Sequence, residues 1–149
     1  MTDTCRVALT AAVLSLATAA VAAHRIHRTD ASDPARLVGQ LRLAQWAAVA
    51  LAALGGIPIG LAVAATGQPL AHLVLTGGVA FVVLAGAILH QEPHRGLHVA
   101  AGGFIAHAVV QLLSRPADAL VPIAPLWYAV GAATFDAGMA AACLWAARR

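Results

Sequence analysis

Five long apolar runs dominate this chain, at about 5–23, 41–65, 70–90, 97–113 and 123–146. A helix needs roughly 20 apolar residues to cross the hydrocarbon core of a bilayer, and each run is close to that length. In lipid every backbone polar group must find a partner, and a helix supplies those partners from within itself. The runs therefore predict an all-α fold: a polytopic integral membrane bundle of five transmembrane helices, forming a single domain over residues 1–149.

Composition agrees. Hydrophobic residues make up 61% of the chain and charged residues 10%, with a mean hydropathy of +0.83. A soluble domain carries about 25% charged residues, so this chain has too little polar surface to coat a ball in water. The net charge is +3, and every basic residue is an arginine. The arginines stand at the ends of the apolar runs and form no basic stripe with interleaved aromatics, so nucleic acid is not an expected partner. Cys5 and Cys143 lie at opposite ends of the chain with no Cys-x-x-Cys motif. That spacing supports neither a disulfide framework nor a zinc ribbon.

Arginine placement sets the expected topology, because short cytoplasmic loops collect arginine. The first run ends in Ala20-Val21-Ala22-Ala23, which has the small residues of a signal-peptide cleavage site. Cleavage there would carry Arg25, Arg28, Arg36 and Arg42 across the membrane. Retaining the run as a helix, with the N-terminus outside and the C-terminus cytoplasmic, puts those four inside with Arg95, Arg148 and Arg149. Only Arg6 and Arg115 are then left outside. Trp46 and Trp145 fall near the inner boundary of this arrangement, and Trp127 and Tyr128 near the outer one, where amphipathic rings favour the interface. The expectation is a multi-pass protein of the cell's inner (cytoplasmic) membrane.

The second run contains Gly55-Gly56-Ile57-Pro58-Ile59-Gly60. Pro58 removes a backbone donor and predicts a kink facing other helices. Gly56 and Gly60, four apart, predict a close helix–helix approach. The abundance of alanine and glycine also suits a homo-oligomer or partner membrane subunits, with the lipid bilayer as the other contact. Thr29-Asp30-Ala31-Ser32-Asp33-Pro34 reads as a turn and a helix start, with Pro34 in the first helical position.

Ionisable groups inside a membrane are costly, and each is a functional candidate. His107 and Asp136 lie well inside their runs; His72, His90 and His98 lie nearer run ends. With about 1.5 Å of rise per residue counted from the outer ends of the last two runs, Asp136 is ~20 Å deep, His98 ~22 Å and His107 only ~9 Å. Asp136 should then sit level with His98. His98 and His107 are nine residues apart and point to opposite faces of one helix. Asp136 shares a small-residue face with Ala129, Ala132, Ala133, Ala140 and Cys143, so it should point into the bundle. Together these place a polar cluster on the cytoplasmic side: Arg42, Gln45, His90, His94, His98 and Asp136. His107 is expected to bond a backbone carbonyl or Gln111, one turn on.

Such a cluster suits three chemistries. Asp136 and His98 could exchange a proton, or hold a small charged ligand with Gln45 and Arg42. His94 and His98, four apart in His90-Gln91-Glu92-Pro93-His94-Arg95-Gly96-Leu97-His98, could chelate a transition metal, with His90 or Glu92 as a further ligand. A b-type haem could be held by His90 with His98 or His107. The competing reading makes the same stretch a polar turn at the membrane surface. Hydrolase signatures are missing: His90 to His94 has the residue types of a zincin in the wrong order, and Pro93 breaks the helix such a motif needs. An enzyme is therefore not the expectation. Two functional classes follow: a membrane protein that handles a proton, metal ion, haem or small ligand at this His/Asp site, and a non-catalytic accessory or assembly subunit of a larger membrane complex.

Overall fold

The computed structural model describes residues 3–64, 71–113 and 126–148. They form five helices: α1 (Asp3–Arg28), α2 (Pro34–Ala64), α3 (Ala71–Leu89), α4 (Pro93–Leu113) and α5 (Leu126–Ala147). The described residues contain no strand, and each helix includes a stretch long and apolar enough to cross a membrane.

Local chemistry explains where the helices begin and end. Asp33 caps α2: its Oδ1 accepts from the Ala35 N–H at 2.8 Å, and its carbonyl accepts from the Arg36 N–H at 3.0 Å. Pro34 occupies the first helical position, where its missing donor costs nothing. Pro93 plays the same part in α4, whose first turn closes with the Gly96 N–H on the Glu92 carbonyl at 2.7 Å. The last turn of α1 carries His27 and the guanidiniums of Arg25 and Arg28, the latter two favourable beside the partly negative helix C-terminus.

The polar segment between the first two apolar runs, residues 24–40, is mostly helical. Only residues 29–33 connect α1 to α2, and only residues 90–92 connect α3 to α4. α1 continues five residues past its apolar run, and α2 and α4 begin before theirs, at Pro34 and Pro93, since adding a residue to an existing helix costs far less than starting one.

Contacts bring the ends of α1, α3 and α5 together with the starts of α2 and α4; we call this the arginine-rich end. There Gln40 Nε2 donates to the Ala146 carbonyl at 2.9 Å. Arg36 donates through Nη1 to the Thr29 carbonyl at 3.3 Å and through Nη2 to the Arg148 carbonyl. Two side chains of α2 thus satisfy carbonyls that α5 leaves open at its C-terminus. The Arg148 guanidinium lies 5.4 Å from the Trp145 ring centre, and the His27 ring centre lies 4.9 Å from it. Trp145 is thereby tied to α1.

The main packing partners are α2 with α3 and α4 with α5, with α1 closing on α5 and α2. One continuous core draws on all five helices, and its largest fully buried apolar side chains are Phe104, Leu51, Ile88 and Leu97. Glycines set two of the close approaches. A Cβ on Gly78 would lie 2.6 Å from the Gly55 carbonyl oxygen, and one on Gly55 would lie 2.7 Å from that of Gly78. A Cβ on Gly103 would meet Leu51 at 2.8 Å and Leu84 at 2.9 Å. Gly56 and Gly60, expected to make the close approach, have nothing within 4 Å of a built Cβ. One residue of helical rotation, about 100°, moves the contact to Gly55 and turns the Gly56–Gly60 face outward. α2 continues through Pro58, whose neighbour Ile59 packs on Gly78.

Large apolar side chains such as Leu14, Val49, Leu73 and Val83 point outward. In water such a surface would be a liability; against lipid it is matched. The side chains of Cys5, Trp127 and Tyr128, with Arg115 and Arg149, lie outside what the structure describes.

A buried histidine–aspartate pair as the candidate functional site

Asp136 is completely buried, as expected from its small-residue face: Ala132, Ala140 and Cys143 are buried with it. Its partner differs from expectation. Nδ1 of His107, itself 1% exposed, lies 2.6 Å from Asp136 Oδ2. With Asp136 ionised, the His107 Nδ1–H donates to that oxygen, at a distance just under the usual range of a charge-assisted N–H···O bond. On the other side of the ring, Gln111 Nε2 is 3.4 Å from His107 Nε2, a long contact through which the amide can donate. Phe81 of α3 meets the imidazole edge-on with centroids 4.9 Å apart. Phe104 and Phe135 pack edge-on beside the pair, centroids 6.4 Å apart.

The expected level match of Asp136 with His98 does not hold, and the reason is the choice of origin. Depths counted from the outer ends assumed that both runs stop at one plane. The packed ends are those of the arginine-rich end, where Leu97 and Ala146 are both fully buried. His107 lies ten residues after Leu97 and Asp136 ten residues before Ala146. Both are then ~15 Å from those two residues, well inside the bundle rather than at its arginine-rich end.

The other expected site residues do not gather round Asp136. Arg42, Gln45, His90 and His98 are exposed, and His94 is half-buried. His94 and His98 do meet: α4 starts at Pro93, the His98 Nδ1–H donates to the His94 carbonyl at 2.9 Å, and the rings lie 4.7 Å apart. Glu92 turns to Arg95 at 3.9 Å, with both side chains largely in the open. Among the described residues no three histidine, cysteine or acidic side chains are grouped as a metal ion would need. His72 is exposed.

Chemically, the pair has two features. The imidazole is oriented, with Nδ1 committed to a carboxylate and Nε2 left as the atom that can gain or lose a proton. The carboxylate is only half satisfied: Asp136 Oδ1 is buried without a hydrogen-bond partner. Buried polar atoms without partners are uncommon and costly. Sequence reasoning singled out both residues but did not join them; equal distances from the arginine-rich end were the available signal. Arg36 and Gln40 were missed as helix-capping groups, since one was counted as a topology charge and the other passed over. No protein-family model, curated protein or solved structure matches the chain.

Proposed function

We propose that this chain is a multi-pass protein of the inner (cytoplasmic) membrane, N-terminus outside and C-terminus inside, whose function is to hold and exchange a proton at His107 and Asp136. The observation that carries this reading is the 2.6 Å contact between two fully buried ionisable side chains well inside the bundle. A lone aspartate at such depth costs about 2.5–3.5 kcal/mol on insertion scales. The histidine offsets part of that and adds a second proton-binding atom. Charge counting gives the working cycle. With imidazole neutral and Asp136 ionised, the pair carries one negative charge; a proton gained at Nε2 makes it a neutral ion pair.

Infrared spectroscopy of the purified protein across pH tests this reading. A carboxyl or imidazole signal should change in the native chain and vanish in both Asp136→Asn and His107→Gln. A pair with no pH-dependent signal would refute proton exchange. An absorption spectrum and metal analysis of the same sample separate the remaining ligand readings. A Soret band or stoichiometric metal lost in His107→Gln would make Nε2 a ligand atom, with Asp136 orienting the ring as carboxylates do for metal-bound histidines.

A second reading, an accessory subunit of a larger membrane complex, is favoured by Gln45 and His98. Both are exposed on helices that also turn large apolar residues outward, and lipid offers such groups no hydrogen bonds. Site-specific photocrosslinkers at those positions would capture a protein neighbour under this reading and only lipid without it.

A further inference from the structure

The surroundings of the pair are unequal at its two ends. Towards the arginine-rich end the packing is closed by apolar groups: Leu51, Leu97, Ala100, Phe104 and Cys143 have no exposed surface, and Ile88 has 2%. The buried polar side chains beyond them, Gln40 and Arg36, are committed to carbonyls of α5 and of residue 29. No described polar side chain along α4 bridges the pair to that end, since the turns before His107 on its own face present Gly103, Ala100 and Gly96.

Towards the opposite end the picture reverses. Gln111, one turn beyond His107 on the same face, touches Nε2 and is only half-buried. The ring is clamped so that its free nitrogen faces this way: Nδ1 is held by Asp136 and Phe81 abuts the imidazole. Among the described residues, Asp136 and Gln111 are the polar side chains that meet the His107 ring nitrogens.

We propose that the pair exchanges its proton with one aqueous side only, the side at which α4 ends, through His107 Nε2 and along the face that carries Gln111. This rests on the proton-exchange reading above. In the step, the Nε2 lone pair forms an N–H bond as the O–H bond of a donor water or hydronium breaks. The donor's electron pair stays on its oxygen, and the hydroxide or water formed returns to that aqueous side. The Nδ1–H stays bonded to Asp136 Oδ2, and the imidazolium charge is balanced by the carboxylate. With the N-terminus outside, α4 ends outside, so the exchanging side is opposite to the cytoplasmic one first expected for the site. Proton traffic is thus one-ended in the packed state, as suits a sensor or store of external pH more than a through-channel.

Thiol accessibility tests this without relying on proton chemistry. Two variants are compared in right-side-out and inverted membrane vesicles with a charged, membrane-impermeant methanethiosulfonate reagent. One is Gln111→Cys in a Cys5→Ser, Cys143→Ala background; the other is Cys5→Ser, which keeps only Cys143. Gln111→Cys should be modified from the face where α4 ends, at least tenfold faster than from the other, and Cys143 from neither. Modification of Gln111→Cys from the arginine-rich side, from both sides equally or from neither overturns the proposal, as does modification of Cys143 from the arginine-rich side. If Gln111→Cys fails to accumulate, the native chain in oriented proteoliposomes serves: its infrared signal should follow pH steps on the α4 C-terminal side alone. A signal that follows the other side, or both, refutes one-sided access, whereas loss of any signal refutes proton exchange itself.

Discussion

His107 stands ten residues after Leu97 and Asp136 ten residues before Ala146, two buried residues of the arginine-rich end, and their side chains meet at 2.6 Å. Neither residue would be tolerated easily alone. Truncating one partner of a buried pair leaves the other uncompensated, at about 3–5 kcal/mol, while replacing both by apolar groups is often neutral. His107→Ala should therefore lower thermal stability in detergent more than the double variant His107→Leu with Asp136→Leu does. Additive losses in the double-mutant cycle would show that the two side chains do not interact.

The Gly55–Gly78 contact predicts opposite outcomes for two chemically identical substitutions. Gly78→Ala drives a methyl to 2.6 Å from a carbonyl oxygen and 2.7 Å from Ile59 Cγ1, so α2 and α3 must separate. Overpacking of this kind costs about 1–3 kcal/mol. Gly60→Ala meets nothing within 4 Å and should gain about 0.5–1 kcal/mol from the helix preference of alanine. Thermal melts of the two variants, side by side, check both signs.

Arg36 and Gln40 should govern the order of the last turn of α5. Removing either leaves a carbonyl of that turn without its donor, at about 1–3 kcal/mol where the group is buried. Arg36→Leu and Gln40→Leu are expected to raise amide hydrogen exchange in the last turn of α5 while leaving α3 unchanged. Uniform exchange across the bundle would mean that these side chains support the whole fold rather than one helix end.

Orientation can be read at Arg95, whose side chain is 73% exposed in the α3–α4 turn region. Arg95→Cys, in a background without other cysteines, should be labelled by an impermeant reagent only from the cytoplasmic face. Labelling from outside would invert the arrangement and, with it, the side to which His107 is assigned.

Much of the architecture was legible in the residues. Apolar runs of bilayer length gave the five helices, and the Asp33-Pro34 cap was visible as an acid followed by a proline. The inward aim of Asp136 followed from the alanines around it. What escaped the sequence depended on register between helices. Periodicity gives a residue's face and its distance from a chosen end, but not which ends are level. An error of one residue sent the close contact to Gly56 instead of Gly55, and an origin at the wrong end sent Asp136 to His98 instead of His107. Polar capping was hidden for a related reason: an arginine near a run end reads as a surface charge until the neighbouring helix terminus is known.

The order of the helices along the chain has a consequence for biogenesis. α4 precedes α5, so in a chain inserted as proposed His107 reaches the membrane before Asp136 does. The acid, which on its own resists leaving the insertion machinery for lipid, arrives to find a proton donor already in place at its own level. Two groups of α2, made earlier still, stand ready for the carbonyls at the tail of α5. The last span is thus received at its middle and at its end by earlier segments of the same polypeptide, and partitioning of α5 into the bilayer should depend on whether α2 and α4 are there to receive it.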